Sequence, residues 1–189
     1  MSRIVVSQFV SADGVIEDPV GMEGLGRGSW TDTSFGEDGT KFKLDEIMDT
    51  EAMLFGRTTY DAYLAAWPSR DGEYANRLNA MPKYVVSSTL EAPEWTNSTV
   101  LKGDVAEAAR SVKERHAGNI MIQGSAQLAD ALLQHDLVDE WRLMVFPVVV
   151  GKGKRFFGDP GRAVNLRLTA SRSVGDGVAI LVYEPVRSA

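Results

Sequence analysis

Three short stretches of this chain place hydroxyl, amide or cationic side chains directly after an apolar run, two of them with a glycine. The first is Phe55-Gly56-Arg57-Thr58-Thr59-Tyr60, where glycine permits close backbone approach and one guanidinium and two hydroxyls follow. If a helix begins there, its free N–H groups and partial positive charge suit phosphate, and Arg57 adds a bidentate grip. Plain capping by Thr58, with Arg57 in solvent, accounts for the same residues. The second is Val85-Val86-Ser87-Ser88-Thr89, whose hydroxyls can donate to phosphate or simply make a polar loop. In the third, Ile122-Gln123-Gly124-Ser125-Ala126-Gln127-Leu128, a buried run turns through small residues into a helix. A pyrophosphate could lie against the amides of Gly124, Ser125, Ala126 and Gln127, although any crossover needs such a tight turn. Neither G-x-G-x-x-G nor G-x-x-x-x-G-K-[ST] occurs. The weight lies in the joint occurrence, because open α/β sheets bind ligands beyond the carboxyl ends of their strands.

The remaining pattern supplies the elements that would position these stretches. Ile4 to Val10 reads as a buried strand closed by Ala12-Asp13-Gly14. From Gly21 to Gly39 the chain is dense in Gly, Ser, Thr and Asp, and Gly36 and Gly39 among others argue against a regular element, so a long functional loop is expected. Phe42–Met48 has helical spacing, and Ala52–Phe55 reads as a strand. Thr58–Trp67 carries Tyr60, Tyr63, Leu64 and Trp67 on one helical stripe, stopped by Pro68. Lys83–Ser88 and Ile120–Ile122 read as strands, and a capping box at Asp104 and Glu107 opens a helix that Gly118 stops. Ser125 opens a further helix with Leu128, Leu132 and Leu133, and Val138–Val150 reads as a long strand region. Leu166–Val174 and Val178–Tyr183 flank Gly175-Asp176-Gly177, a hairpin signal. Alternating strands and helices with an all-strand tail predict a single α/β domain over residues 1–189, its sheet mostly parallel with an antiparallel hairpin at one edge.

Composition narrows the function further. The 189 residues carry 20 Lys+Arg against 26 Asp+Glu, a formal charge of -6 that argues against nucleic-acid partners. With no cysteine and two histidines, His116 and His135, thiol chemistry and a metal centre are not expected. Both histidines read as helix-end residues. The N-terminal residues lack a secretory pattern and no apolar run approaches membrane-spanning length, so a cytoplasmic location without membrane contact is expected.

Taken in order, Ile4–Val10 with Ala12-Asp13-Gly14-Val15-Ile16, Leu54-Phe55-Gly56-Arg57-Thr58-Thr59-Tyr60, Tyr84-Val85-Val86-Ser87-Ser88 and Ile120-Met121-Ile122-Gln123-Gly124-Ser125 resemble dihydrofolate reductase. More closely they resemble the reductase (C-terminal) domain of the bifunctional riboflavin-biosynthesis deaminase–reductase and its stand-alone relatives. Phe146-Pro147-Val148-Val149-Val150-Gly151-Lys152-Gly153-Lys154-Arg155-Phe156-Phe157 is similar to that group's strand-to-loop segment. The resemblance implies a three-layer α/β/α fold of dihydrofolate reductase type, NADPH as cofactor, a small planar heterocycle or related carbonyl or imine as substrate, and a homodimer. It puts Gly56, Arg57, Thr58 and Thr59 on the cofactor's phosphates, Ser87 and Ser88 on the 2′-phosphate with Arg57 able to join them, and Gly124, Ser125, Ala126 and Gln127 at the pyrophosphate turn. Ser125 stands where the family has the second glycine of a pair joined by a cis bond, and Gln123 stands where the riboflavin enzyme has an acidic residue.

On the substrate side the resemblance implies Phe9 beside the nicotinamide and Gln123 at the cleft, and Trp30, an aromatic in the glycine-rich loop, can close over a flat ring. An acidic residue early in the first helix would relay a proton: Glu37 and Asp38 are the candidates, with Asp45 also near. The alternative is a non-catalytic nucleotide-binding module, or a dimeric interaction protein pairing its edge hairpin, that keeps the reductase fold.

Overall fold

The strands that read as near-continuous apolar runs lie in the middle of one eight-stranded sheet, where both faces are covered. The computed structural model describes residues 2–21, 28–31, 34–158 and 163–187. In chain order the elements are β1 (Arg3–Ser11), α1 (Gly36–Met48), β2 (Thr50–Gly56), α2 (Arg57–Ala66), α3 (Glu73–Ala80), β3 (Lys83–Val86), β4 (Ser98–Leu101), α4 (Val105–Arg115), β5 (Asn119–Gln123), α5 (Ala126–Gln134), β6 (Glu140–Phe146), β7 (Leu166–Val174) and β8 (Val178–Pro185). The sheet order is β4-β3-β2-β5-β1-β6-β8-β7. All pairs from β4 to β6 are parallel, and β6–β8 and β8–β7 are antiparallel, as the glycine-flanked hairpin predicts.

Alternation along each strand divides the core into layers. Ile4, Val6, Leu54, Ile120, Ile122 and Trp141 face α4 and α5, which bring Ala109, Val112, Leu128 and Leu132. On the other face Met53, Phe55, Val85 and Met121 meet Ile47 of α1, Tyr60 of α2 and Leu78 of α3. A separate cluster on that face, Met144, Phe146, Val174, Val178 and Ile180, packs Phe9, Phe35 and Trp30 near the hairpin. Helices on both faces of a mixed sheet make the three layers that the resemblance implies.

Several boundaries differ from the sequence reading. Helix α1 begins at Gly36, not near Phe42, so Gly36 and Gly39 sit in regular structure. Close packing explains Gly39: a Cβ there would stand 2.6 Å from the Phe35 ring, so only glycine lets that ring lie on the helix. Helix α3 and strand β4 carried no clear signal in the sequence. The region Val138–Val150 is strand only over Glu140–Phe146, because Pro147 has no N–H to continue the ladder. Of the expected loop 21–39, residues 22–27 and 32–33 lie outside the described residues.

Candidate functional site

The three hydroxyl-bearing stretches end neighbouring strands. Gly56 is the register partner of Val86, so Arg57 and Ser87 follow side by side, and β5 runs along the other flank of β2 up to Gln123. Two hydrogen bonds join the β2–α2 and β5–α5 junctions. The Gly56 N–H donates to Ser125 Oγ at 3.0 Å, and the Ser125 N–H donates to Thr59 Oγ1 at 3.0 Å. The turn runs through two left-handed residues, Gly124 at φ 65° and Ser125 at φ 52°, and no described peptide bond is cis. Glycine is favoured at 124, since a side chain there would strain the left-handed backbone and its Cβ would press within 3.3 Å of Thr59 Cγ2.

This junction suits a phosphorylated nucleotide. Neither α2 nor α5 has a side-chain cap, so two helix N-termini present first-turn amides at one place on the sheet edge. Ser125 Oγ and Thr59 Oγ1 use their oxygens as acceptors in the joining bonds, which leaves both hydroxyl protons to donate outward. Thr58 and Gln127 are exposed, and Gly124, Ser125 and Ala126 are half-buried. Arg57 is anchored through Nε to Asp61, at 2.9 and 2.7 Å, which keeps its terminal nitrogens available. Ser87 is buried and its Oγ accepts the N–H groups of Thr89 and Leu90, shaping the loop that carries exposed Ser88. The donors that a diphosphate needs are therefore present and gathered.

Nearer the hairpin, Phe9, Val20, Thr31, Phe35, Gly36, Glu37 and Thr40 line a cavity of about 580 Å³. Phe9 meets Phe35 and Phe146 edge-on, at centroid distances of 5.4 and 5.3 Å. Trp30 stands edge-on to Phe146 at 5.7 Å and donates from Nε1 to the Glu17 carbonyl. Gln123 is buried, and its Oε1 accepts both the Tyr63 and the Tyr74 hydroxyl, at 2.9 and 3.0 Å. Burial raises both tyrosine pKa values well above the ordinary range, so each stays a donor to Gln123. Glu37 is exposed at the cavity rim. Asp38 Oδ1 accepts the Gly175 amide at 2.9 Å and so ties α1 to the hairpin turn, while Asp45 pairs with Lys41 in solvent.

A polar belt absent from the sequence reading crosses the same face of the sheet between the two apolar clusters. Gln123, Ser7 and Arg142 are register partners on β5, β1 and β6. Above them Glu46 of α1, its side chain 0% exposed, accepts from Ser7 Oγ at 2.8 Å and from Lys43 Nζ. Lys43 Nζ also donates to Ser7 Oγ at 2.9 Å. Arg142 Nη1 lies 3.5 Å from Glu46, and Arg142 Nε donates to Glu140 at 2.6 Å. Burial works against the Arg142 charge, but Glu46 and Glu140 outweigh it and hold the guanidinium above its usual pKa. These residues are scattered along the chain, and only Lys43 with Glu46 on the helix and Glu140 with Arg142 on the strand are local pairs. Among the described residues no His/Cys/Asp/Glu group could hold a metal ion, and no helix is long and apolar enough to cross a membrane.

Comparison with known proteins follows the same geometry. Residues 2–180 match the family described as RibD C-terminal domain. The chain is 28% identical over 187 residues to the uncharacterized protein YyaP of Bacillus subtilis, covering 96% of this chain and 94% of that one. Its fold is shared with a pyrimidine reductase-like protein from Corynebacterium diphtheriae, with a TM-score of 0.69, 13% identity and coverage of 98% and 92% of the two chains. It is also shared with dihydrofolate reductase from Enterococcus faecalis, solved with NADP(H), with a TM-score of 0.65, 12% identity and coverage of 98% and 97%. The chain belongs to the RibD C-terminal domain family and has a dihydrofolate reductase-like, reductase-type fold.

Proposed function

We propose that this member of the RibD C-terminal domain family is an NADPH-dependent oxidoreductase that reduces a small planar heterocycle, pterin-like or pyrimidinone-like, or a related carbonyl or imine. The observation that carries the reading is the joined junction, in which Gly56 and Ser125 bring two uncapped helix N-termini together. The first-turn amides of α2 and α5, with the hydroxyls of Thr58, Thr59 and Ser125, would hold the diphosphate. Arg57, with Ser87 and Ser88 at the end of β3, would recognise the 2′-phosphate. When bound, the cofactor supplies the hydride. The chain supplies orientation: Phe9 and the Gly124-Ser125 turn would flank the reacting ring, Gln123 is fixed by two tyrosines, and Trp30 closes the aromatic wall. A cytoplasmic homodimer of single-domain chains goes with this reading, and sedimentation of the purified protein tests the dimer.

Isothermal titration with NADPH and NADH is the direct test, and tighter binding of NADPH is expected. Arg57→Ala should weaken NADPH by about tenfold or more while changing NADH much less. Equal losses for the two nucleotides would refute the 2′-phosphate assignment, and failure of both to bind below millimolar concentration would refute the function. NADPH binding with no oxidation across pterins, quinones and pyrimidinones would instead mark a non-catalytic binding module.

A further inference from the structure

We propose that Lys43 is the catalytic proton donor of this cleft, giving a proton to the ring nitrogen or carbonyl oxygen of the bound heterocycle, with Glu46 and Ser7 as its positioning residues. The inference rests on the reductase reading above. Lys43 lies one helical turn beyond Thr40, which lines the cavity, and its Nζ stands 5.7 Å from the ring centroid of Phe9, which lines it too. Its side chain is 13% exposed, against 72% for Lys41 on the same helix. Its ammonium has three N–H donors, of which Glu46 and Ser7 take two, and the third meets no oxygen acceptor among the described residues. The other carboxylates of α1 are worse placed: Asp38 is bound to the hairpin amide, Asp45 is paired with Lys41, and Glu37 stands in solvent.

The chemistry requires such a donor. Hydride from the reduced nicotinamide nucleotide, which is oxidised, bonds to the carbon of a C=N or C=O group. The π pair of that bond moves onto nitrogen or oxygen, which takes a proton from Lys43 Nζ. The substrate is reduced to an amine or alcohol and Lys43 is left as a neutral amine, which regains its proton from water before the next turnover. A donor fixed in a partly dry site meets the developing negative charge without reorganising. Glu46 keeps the ammonium oriented, and Ser7 and Arg142 hold the Glu46 side chain in place in turn.

Two NADPH-coupled probes separate proton delivery from structure. At alkaline pH, 3,4-dihydroisoquinoline is a neutral imine and needs a proton, whereas N-methyl-3,4-dihydroisoquinolinium needs none. Lys43→Met should lower kcat on the neutral imine by about 100-fold and leave the iminium rate and the NADPH Kd unchanged, whereas Lys41→Met should alter neither rate. Equal losses on both probes, or no loss on either, would overturn the assignment. Lys43→Met/Glu46→Gln removes both buried charges together and must show the same selective loss, which guards against a misfolded single variant. If the wild-type protein binds NADPH but reduces neither probe, the reductase reading fails for imines. Lys43 is then judged by acetylation mapped by mass spectrometry: protection by 3,4-dihydroisoquinoline supports the cleft position, and equal labelling with and without it overturns it.

Discussion

Ser125 is the residue on which the cradle turns, because it holds a left-handed conformation that a β-carbon disfavours. Its hydroxyl repays that strain by accepting the Gly56 amide, and its own amide is taken by Thr59. The two contributions can be separated. Ser125→Ala keeps the strain and loses the bond, while Ser125→Gly loses both, so urea unfolding should rank wild type and Ser125→Gly above Ser125→Ala. The gap between the glycine and alanine variants should be about 1–2 kcal/mol. An alanine variant as stable as the glycine variant would show that the left-handed backbone carries no strain. The sequence made Gly56, Thr59, Gly124 and Ser125 legible as a group, because glycine and hydroxyls after apolar runs are a local signal. It could not show that the two junctions bond to each other, since the partners lie 69 and 66 residues apart.

At the scale of elements, one carboxylate joins backbone hydrogen bonds in holding the segment after β6 to the turn after β1. Asp13 Oδ1 accepts from Ser11 Oγ at 2.7 Å and from the Val150 amide at 3.1 Å, and Oδ2 accepts the Gly151 amide at 2.9 Å. The Ser11 hydroxyl, then the Val150 amide, pull its pKa down to about 2 from 3.8. A carboxylate with a lowered folded pKa adds stability that is complete above the ordinary value and is lost as pH falls through the folded one. Asp13→Ala should therefore unfold at a lower temperature than wild type near neutral pH, and the difference should narrow as the pH is taken from about 4 down through 2. A gap constant over that window would mean the pinned carboxylate is not the cause. Element legibility followed signal length. Helix α4, whose Asp104 Oδ1 accepts the Glu107 amide at 2.9 Å, and the β7–β8 hairpin were both readable. Helix α3 buries only Ala75 and Leu78, and β4 is a short, partly exposed edge strand, so neither leaves a sustained period in the sequence.

Across the whole molecule, α1 is clamped at both ends, and this couples the C-terminal hairpin to the cavity. Toward its C-terminus Glu46 is bound into the polar belt over β1 and β6. At its N-terminus the Gly175 amide donates to Asp38 and the Asp176 amide to the Ser34 carbonyl, both at 2.9 Å, while Arg172 covers the Phe42 ring at 4.7 Å. None of these contacts could be read along the chain, because each joins the first helix to the last hairpin or to a central strand. The fit at Gly175 is tight: its φ is +50°, and a Cβ would stand 2.1 Å from the Ser34 carbonyl oxygen. Gly175→Val must therefore push the hairpin away from Ser34-Phe35-Gly36, at a cost of about 1–3 kcal/mol in urea unfolding. Of these, Phe35 and Gly36 line the cavity, whereas the proposed phosphate site lies across β2 and β5 on the far side of β1. The variant should therefore keep the NADPH affinity of the wild type and raise KM for the heterocycle that accepts hydride. Loss of NADPH binding in a variant that remains folded would mean that the hairpin braces the nucleotide side as well, and that the two halves of the cleft move as one body.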